Sequence, residues 1–263
     1  MAQQIPLERR LTPTSPRAGR PEIGALDAPV CQNRRVPSES LLLRETYSEA
    51  EAARLLRLPP STLHYWLEGR DYRGRSYSPI LREAPSSTGA SRTLTWAEFI
   101  EAGALRQFRR DLRVPMAELR AFIGILRDQF GVPYPLATTR PWTDGRLLVI
   151  EAQQASHLPE DLWLYAPTTG QGLLLPPAQA FLDRVEFDDG IATRWRPAPE
   201  PESTVIIDPD VRFGMPSVSG VSTGVIWEYD QDGYSTDEIA AEFMLITADV
   251  DWALSYERAT HAG

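Results

Sequence analysis

The spacing of apolar residues changes three times along the chain and divides it into four stretches. Residues 1–43 are rich in Pro, Arg, Ser and Gly, with isolated aliphatics and no period. Such a stretch cannot bury enough apolar surface to offset the entropy of ordering it, which predicts a disordered arm. Helical spacing begins at Tyr47. In YSEAEAARLLRLPPSTLHYWLEG, Ser48 and Glu51 make a capping-box pattern, and Ala52, Ala53, Leu55 and Leu56 form one apolar stripe. Leu58-Pro59-Pro60 must break that helix, because proline lacks a backbone donor and restricts the residue before it. A second short helix opening at Ser61 or Thr62 places Leu63, Trp66 and Leu67 inside and Thr62, His64, Tyr65 and Glu68 outside. Two such helices around a tight turn make a helix-turn-helix.

After Gly69, RDYRGRSYSPILREAPSSTGASRTLTW carries two runs with Tyr, Ile, Leu and Thr around a Ser/Gly-rich centre, Ser86 to Ser91. That pattern predicts a β-hairpin wing turning at the centre. Thr95 with Glu98 caps a third helix, whose Phe99, Ile100, Leu105 and Phe108 face inward. Pro115 opens a fourth helix lined by Met116, Leu119, Phe122, Ile123, Leu126 and Phe130, stopped by Gly131 and Pro133.

From 138 to 200 the pattern becomes short alternating runs. Leu147–Glu151, Leu162–Tyr165 and Gly172–Leu175 read as strands, as do Val185–Phe187 and Ile191–Trp195 around the hairpin signal Asp188-Asp189-Gly190. Pro197, Pro199 and Pro201 make a stiff linker. A strand at Val205–Ile207 and a Pro/Gly loop follow. Helices are then predicted at about Thr223–Tyr229, Ser235–Phe243 (Ser235 and Glu238 forming a second capping box) and Thr247–Ala259. The expected architecture is α+β: a disordered arm (1–43), a mostly helical winged helix-turn-helix domain (44–137), a small antiparallel β connector (138–200) and a C-terminal three-helix domain (201–263).

Charge sharpens this division. The net charge is −9, yet residues 1–43 carry 6 Arg against 4 acids, 44–146 carry 16 against 12, 147–197 carry 3 against 7, and 198–263 carry 2 against 13. A front end that tolerates polyanions is joined to a back end that repels them. All 27 basic residues are arginine. A single cysteine, Cys31, excludes an intrachain disulfide, and His64, His157 and His261 are too scattered for a zinc cage, so a cytoplasmic protein without metal or cofactor is expected. No apolar run approaches the roughly 18 residues of a membrane span, and no apolar core of a secretory signal follows Met1.

In a helix-turn-helix, phosphate contacts position the protein and base contacts specify the sequence. Ser61, Thr62, His64 and Tyr65 are the candidates for the groove; Arg57, Arg70, Arg73, Arg75 and Arg92 are those for backbone and wing contacts. Trp66 is spaced for the core. Dimers are common among such readers, so a homodimer is expected. The last helix would present Asp249, Asp251 and Glu257 against Arg258, which suits a protein partner better than DNA. Trp227, Tyr229 and Trp252, if exposed, are candidate partner anchors; Trp252 with Leu254 and Tyr256 reads equally as core. The pairs Asp208/Asp210 and Asp230/Asp232 lie at turns, where acids serve as caps, and no triad or phosphate loop is present to support catalysis.

These residues also carry a family likeness. YSEAEAARLLRLPPSTLHYWLEG, continued through LTWAEFIEAGALRQFRRDLRVPMAELRAFIGIL, resembles MerR-type winged helix-turn-helix proteins. VIIDPDVRFGMPSVSGVSTGVIWEYDQDGYSTDEIAAEFMLITADVDWALSYE resembles domain-of-unknown-function family 433, whose Gly-Thr step stands here as Gly220-Val221-Ser222-Thr223. Both ends together, over about residues 44–260, are similar to VapB-type antitoxins with a MerR-like front. The resemblance implies a type II antitoxin that binds operator DNA, represses its own operon and neutralises a PIN-like ribonuclease. Arg212 and Arg258, the two arginines of the acidic end, are the candidates to enter that nuclease's carboxylate-rich site. Two other readings fit the same residues: a stand-alone MerR-like regulator with a ligand-sensing or dimerisation domain, and an assembly protein that binds no DNA.

Overall fold

The computed structural model describes residues 39–83, 93–110, 113–138, 152–157, 165–168, 171–174, 180 and 183–262. It opens with α1 (Glu39–Leu42), a helical turn that buries Leu41 and Leu42 against the core. These residues belong to the arm expected over 1–43, and their burial ties its end to the core; the rest of the expected arm, 1–38, lies outside the described residues.

Strand β1 (Glu45–Ser48) leads into α2 (Glu49–Leu55), where Ser48 and Glu51 complete both bonds of the capping box. Helix α3 (Pro60–Glu68) starts one residue before the expected Ser61. Pro60 occupies its first turn, where the missing N–H costs nothing and the fixed φ is already helical. The hairpin is formed by β2 (Arg70–Tyr72) and β3 (Arg75–Tyr77), paired Arg70↔Tyr77 and Tyr72↔Arg75. Its turn is Arg73-Gly74, not Ser86–Ser91: both residues have positive φ, 49° and 73°, as a two-residue hairpin turn needs. Residues 84–92 lie outside the described residues, and the run beyond them, β4 (Thr93–Thr95), pairs with β1 instead.

Helix α4 (Trp96–Arg110) is capped reciprocally by Thr95 and Glu98, and α5 (Met116–Phe130) ends at Gly131 in the left-handed conformation. Their apolar faces close a first core around Trp66, Trp96, Phe99, Phe108 and Phe122, all fully buried. Phe99 stacks on Trp96 and meets the rings of Tyr47 and Trp195 at 4.6 and 5.5 Å.

In the middle, β5 (Tyr165–Thr168) pairs with β6 (Gln171–Leu174), and β7 (Val185–Asp188) with β8 (Ile191–Trp195). Asp189 and Gly190 supply the positive φ of the second turn, as the sequence predicts. The strand expected at Leu147–Glu151 lies outside the described residues. The β7–β8 hairpin packs on the helices directly: the indole Nε1 of Trp96 donates to the Ala192 carbonyl at 2.7 Å. The expected strand Val205–Ile207 reduces to single bridges, because Ile206 pairs with Ser217 while Ile207 exchanges two 2.9 Å bonds with Trp195.

After the short pair β9 (Ser217–Val218) and β10 (Val221–Ser222), helices α6 (Thr223–Gln231), α7 (Thr236–Phe243) and α8 (Thr247–His261) pack on one another. Ser235 and Glu238 again make both capping-box bonds. Ile226, Ile239, Val250, Ala253 and Leu254 form the second core with Val205 and Val218. The class is α+β, with the described strands in antiparallel pairs. Among the described residues no helix is long and apolar enough to cross a membrane.

Candidate functional site

Helix α3 buries Leu63, Trp66 and Leu67 and leaves Ser61 and His64 exposed, with Thr62, Tyr65 and Glu68 half-buried. Gly69 turns the chain from α3 into the hairpin at φ 73°, and a Cβ there would stand 2.2 Å from the Tyr77 carbonyl oxygen, so only glycine fits. The N–H groups of Ile80 and Leu81 both donate to the Trp66 carbonyl, at 2.8 and 3.0 Å, and tie the returning strand beneath the helix.

The alternation of the hairpin places Arg70, Tyr72, Arg75 and Tyr77 on one face. The Arg70 guanidinium lies 4.5 Å from the centre of the Tyr65 ring and 5.3 Å from that of Tyr72, while Arg120 of α5 reaches Tyr65 at 5.2 Å. Each such contact contributes about 0.5–1 kcal/mol when exposed, and together they fix the hairpin to α3. Tyr65 is therefore a platform between guanidiniums, whereas the sequence places it among the free groove residues.

His64 is also engaged. Its Nδ1 lies 3.1 Å from Oε2 of Glu49 at the start of α2. Glu68 is neutralised by Arg82, a residue that the pattern reading does not single out. Arg82 also binds Glu98 at 2.6 Å and the Thr93 carbonyl at 2.7 Å, joining α3, α4 and β4. Burial pulls the Arg82 pKa down, but its bonds and charge contacts with Glu98 and Glu68 outweigh this and raise it. With Glu49 and Glu68 so occupied, Arg57, Arg70, Arg73 and Arg75 remain exposed, with no ion pair among the described residues. Arg57 sits at the turn after α2 with φ 49°. Thr62 faces the α2–α4 side, where it lines a cavity. Arg92 lies outside the described residues.

At the acidic end the sequence candidates are less free. Trp227 and Trp252 are half-buried against the second core, and Trp227 stacks on His261 at 5.1 Å. Both rings pack against the cluster that holds Ile226 and Leu254. Tyr229 packs with Tyr234 and Phe243. Arg212, at φ 50°, donates through Nε to the Gly220 carbonyl at 2.9 Å; Arg258 is exposed, 3.9 Å from Asp230. The most exposed apolar side chains here are others: Met244 (93% exposed), Phe213 (91%) and Ile246 (65%). All three lie in turns, where helical spacing gives no signal. Of the turn acids, Asp208 accepts from the Asp210 N–H at 2.8 Å and from Arg194 at 2.8 Å, a structural cap.

No protein-family model matches the chain. Over 227 residues it is 30% identical to Uncharacterized protein Rv2308 of Mycobacterium tuberculosis, covering 83% of this chain and 92% of that one. Over 185 residues it is 30% identical to the protein named Putative antitoxin VapB45 of the same organism, covering 66% of this chain and 77% of that one. It also superposes on the crystal structure of Rv2018 from Mycobacterium tuberculosis with a TM-score of 0.65 and 26% identity, over 80% of this chain and 98% of that one. By identity and coverage, the chain belongs to the family of Rv2308 and Putative antitoxin VapB45.

Proposed function

We propose that the chain is a DNA-binding antitoxin and repressor of its own operon, reading DNA through a MerR-like winged helix-turn-helix and holding a PIN-like ribonuclease through its acidic end. The observation that carries the DNA half is the joint surface of α3 and the hairpin. Arg70 over Tyr65 fixes the wing to the recognition helix, and leaves Ser61 and His64 exposed on the helix and Arg70, Arg73 and Arg75 exposed on the hairpin. Side chains of base-reading type are then flanked by guanidiniums suited to phosphate. The antitoxin half draws on the family, in which one member bears an antitoxin name.

The excess of 13 acids over 2 arginines in residues 198–263 turns this end away from DNA and toward a basic partner rim. Met244, Ile246 and Phe213 supply exposed apolar anchors beside those charges. Binding as a homodimer doubles the contact with a two-fold operator. The protein acts in the cytoplasm, where both partners would be found.

The test has two arms. Gel-shift titration uses the promoter region of the protein's own gene; co-expression with adjacent reading frames, followed by pull-down, seeks the partner. Specific DNA binding lost in the triple variant Arg70→Ala/Arg73→Ala/Arg75→Ala, with recovery of a nuclease whose toxicity is relieved, is expected. DNA binding without a partner would leave a stand-alone regulator. Neither would leave an assembly protein.

A further inference from the structure

A groove of about 940 Å³ lies against the α2–α3 turn. Arg54 and Arg57 line it from α2 and its following turn, Arg106 and Arg109 from α4, Trp66 from α3, and the last turn of α8 closes it at Thr260. A smaller cavity of about 220 Å³ adjoins it, sharing Arg57 and Arg106 and adding Arg184. Among the described residues, neither is lined by any carboxylate.

Like charges gathered around one concavity repel, the more so where protein displaces water. Among the described residues Arg57 and Arg109 have no ion pair to offset this, and Arg54 has only a charge contact with Glu51, which does not line the groove. Arg109 is held in place by its bond to the Val114 carbonyl at 3.1 Å. The Tyr256 hydroxyl nearby is pushed up to about 12, chiefly by burial, and stays neutral. The arrangement is therefore prepared for an anion from outside. Its volume falls within the roughly 300–1,000 Å³ of small-molecule sites. Its rim is made of guanidiniums, whose planar forks match phosphate oxygens in pairs. Leu58, Pro59 and Trp66 give it an apolar floor.

We infer that this groove binds a phosphate-bearing small molecule of nucleotide size, with the phosphates on Arg54, Arg57, Arg106 and Arg109 and the flat part on the apolar floor. Ser61, His64 and the hairpin arginines do not line it, whereas Arg57 and Thr62 do, so the inference shares Arg57 with the DNA reading and takes it for the groove instead of a DNA phosphate. Because both α2–α3 and α8 contribute walls, an occupant touches the front helices and the acidic end together.

The test is calorimetric titration of the full chain with ATP and, separately, with inorganic pyrophosphate. Saturable binding of ATP is expected, weakened at least about tenfold in Arg57→Asn/Arg109→Gln, where asparagine tolerates the left-handed backbone at 57. Arg54→Gln, on an exposed helical face, provides a second variant should the first lose its circular dichroism signal. The proposal is overturned if neither ligand binds at millimolar concentration, or if the folded variants bind as the parent does. It is equally overturned if only duplex DNA responds to these substitutions, which would make the groove another backbone contact.

Discussion

The Tyr47 hydroxyl donates a 2.6 Å hydrogen bond to the carbonyl of Gly214, 167 residues away, and fastens the first strand of the front half to the loop that leads into the last three helices. Both groups are buried, and burial raises the Tyr47 pKa, keeping the phenol a donor. Tyr47→Phe leaves the carbonyl without this partner, and a loss of about 1–3 kcal/mol is expected in denaturant titration. Gly214→Ala should cost more. At φ 77° its Cβ would also meet the Tyr47 oxygen at 2.3 Å. Once Tyr47→Phe has removed that oxygen, adding Gly214→Ala should be less damaging; strictly additive losses would mean that the two residues do not meet as described.

Arg82 bridges two carboxylates, Glu68 and Glu98, of which Glu98 is almost wholly buried. Removing the guanidinium strands the Glu98 charge, so Arg82→Ala should lose about 3–5 kcal/mol. Arg82→Met with Glu98→Gln removes both charges and should recover part of that loss. Chemical denaturation of the three proteins at neutral pH measures the difference, and equal stability of both variants would contradict it.

Local and distant features are not equally legible in the sequence. The capping boxes at Ser48/Glu51 and Ser235/Glu238 need residues only three apart, and both helices start where the pattern places them. The Asp189-Gly190 turn is equally local. The Arg73-Gly74 turn is obscured because a long Ser/Gly run beyond it offers the more conspicuous break. What no period reveals is convergence: Arg54, Arg57, Arg106 and Arg109 meet only because α2 and α4 pack around the first core. Tyr65 reads as a free helical position because its neighbours Arg70 and Arg120 arrive from a hairpin and from α5.

Glu101, wholly buried on α4, makes stability depend on pH. Burial raises its pKa to about 7, partly offset by Arg127 at 3.2 Å and by the Leu136 N–H at 3.0 Å. A raised carboxyl pKa means that the folded chain holds the proton more tightly than the unfolded chain. This contribution is complete below the unfolded value of 4.5 and is lost as pH rises toward 7, a change on the order of 3 kcal/mol. Glu101→Gln keeps an acceptor for Leu136 and carries no titrating proton. Its denaturation midpoint should gain on that of the parent between pH 5 and pH 8; a constant difference across that interval would refute the assignment.

The proposed DNA surface separates charge from reading. Arg73 stands in the hairpin turn and Arg75 just after it, both exposed, and Arg73 rests 5.2 Å from the Tyr72 ring. If they meet phosphates, Arg73→Ala and Arg75→Ala weaken binding to every sequence alike, and each lowers the slope of log K against log salt by about one. His64 differs, because Glu49 holds its ring at 3.1 Å and brings a carboxylate to this surface. Glu49→Gln should therefore strengthen binding to any duplex by removing a negative charge from the surface. His64→Ala should instead narrow the gap between operator and unrelated DNA, by about 1–3 kcal/mol if His64 reads a base edge. Fluorescence anisotropy over a salt series, with both DNAs, distinguishes the two effects. A His64→Ala protein whose affinity falls equally for both would place His64 on the backbone and leave base reading to Ser61 and its neighbours.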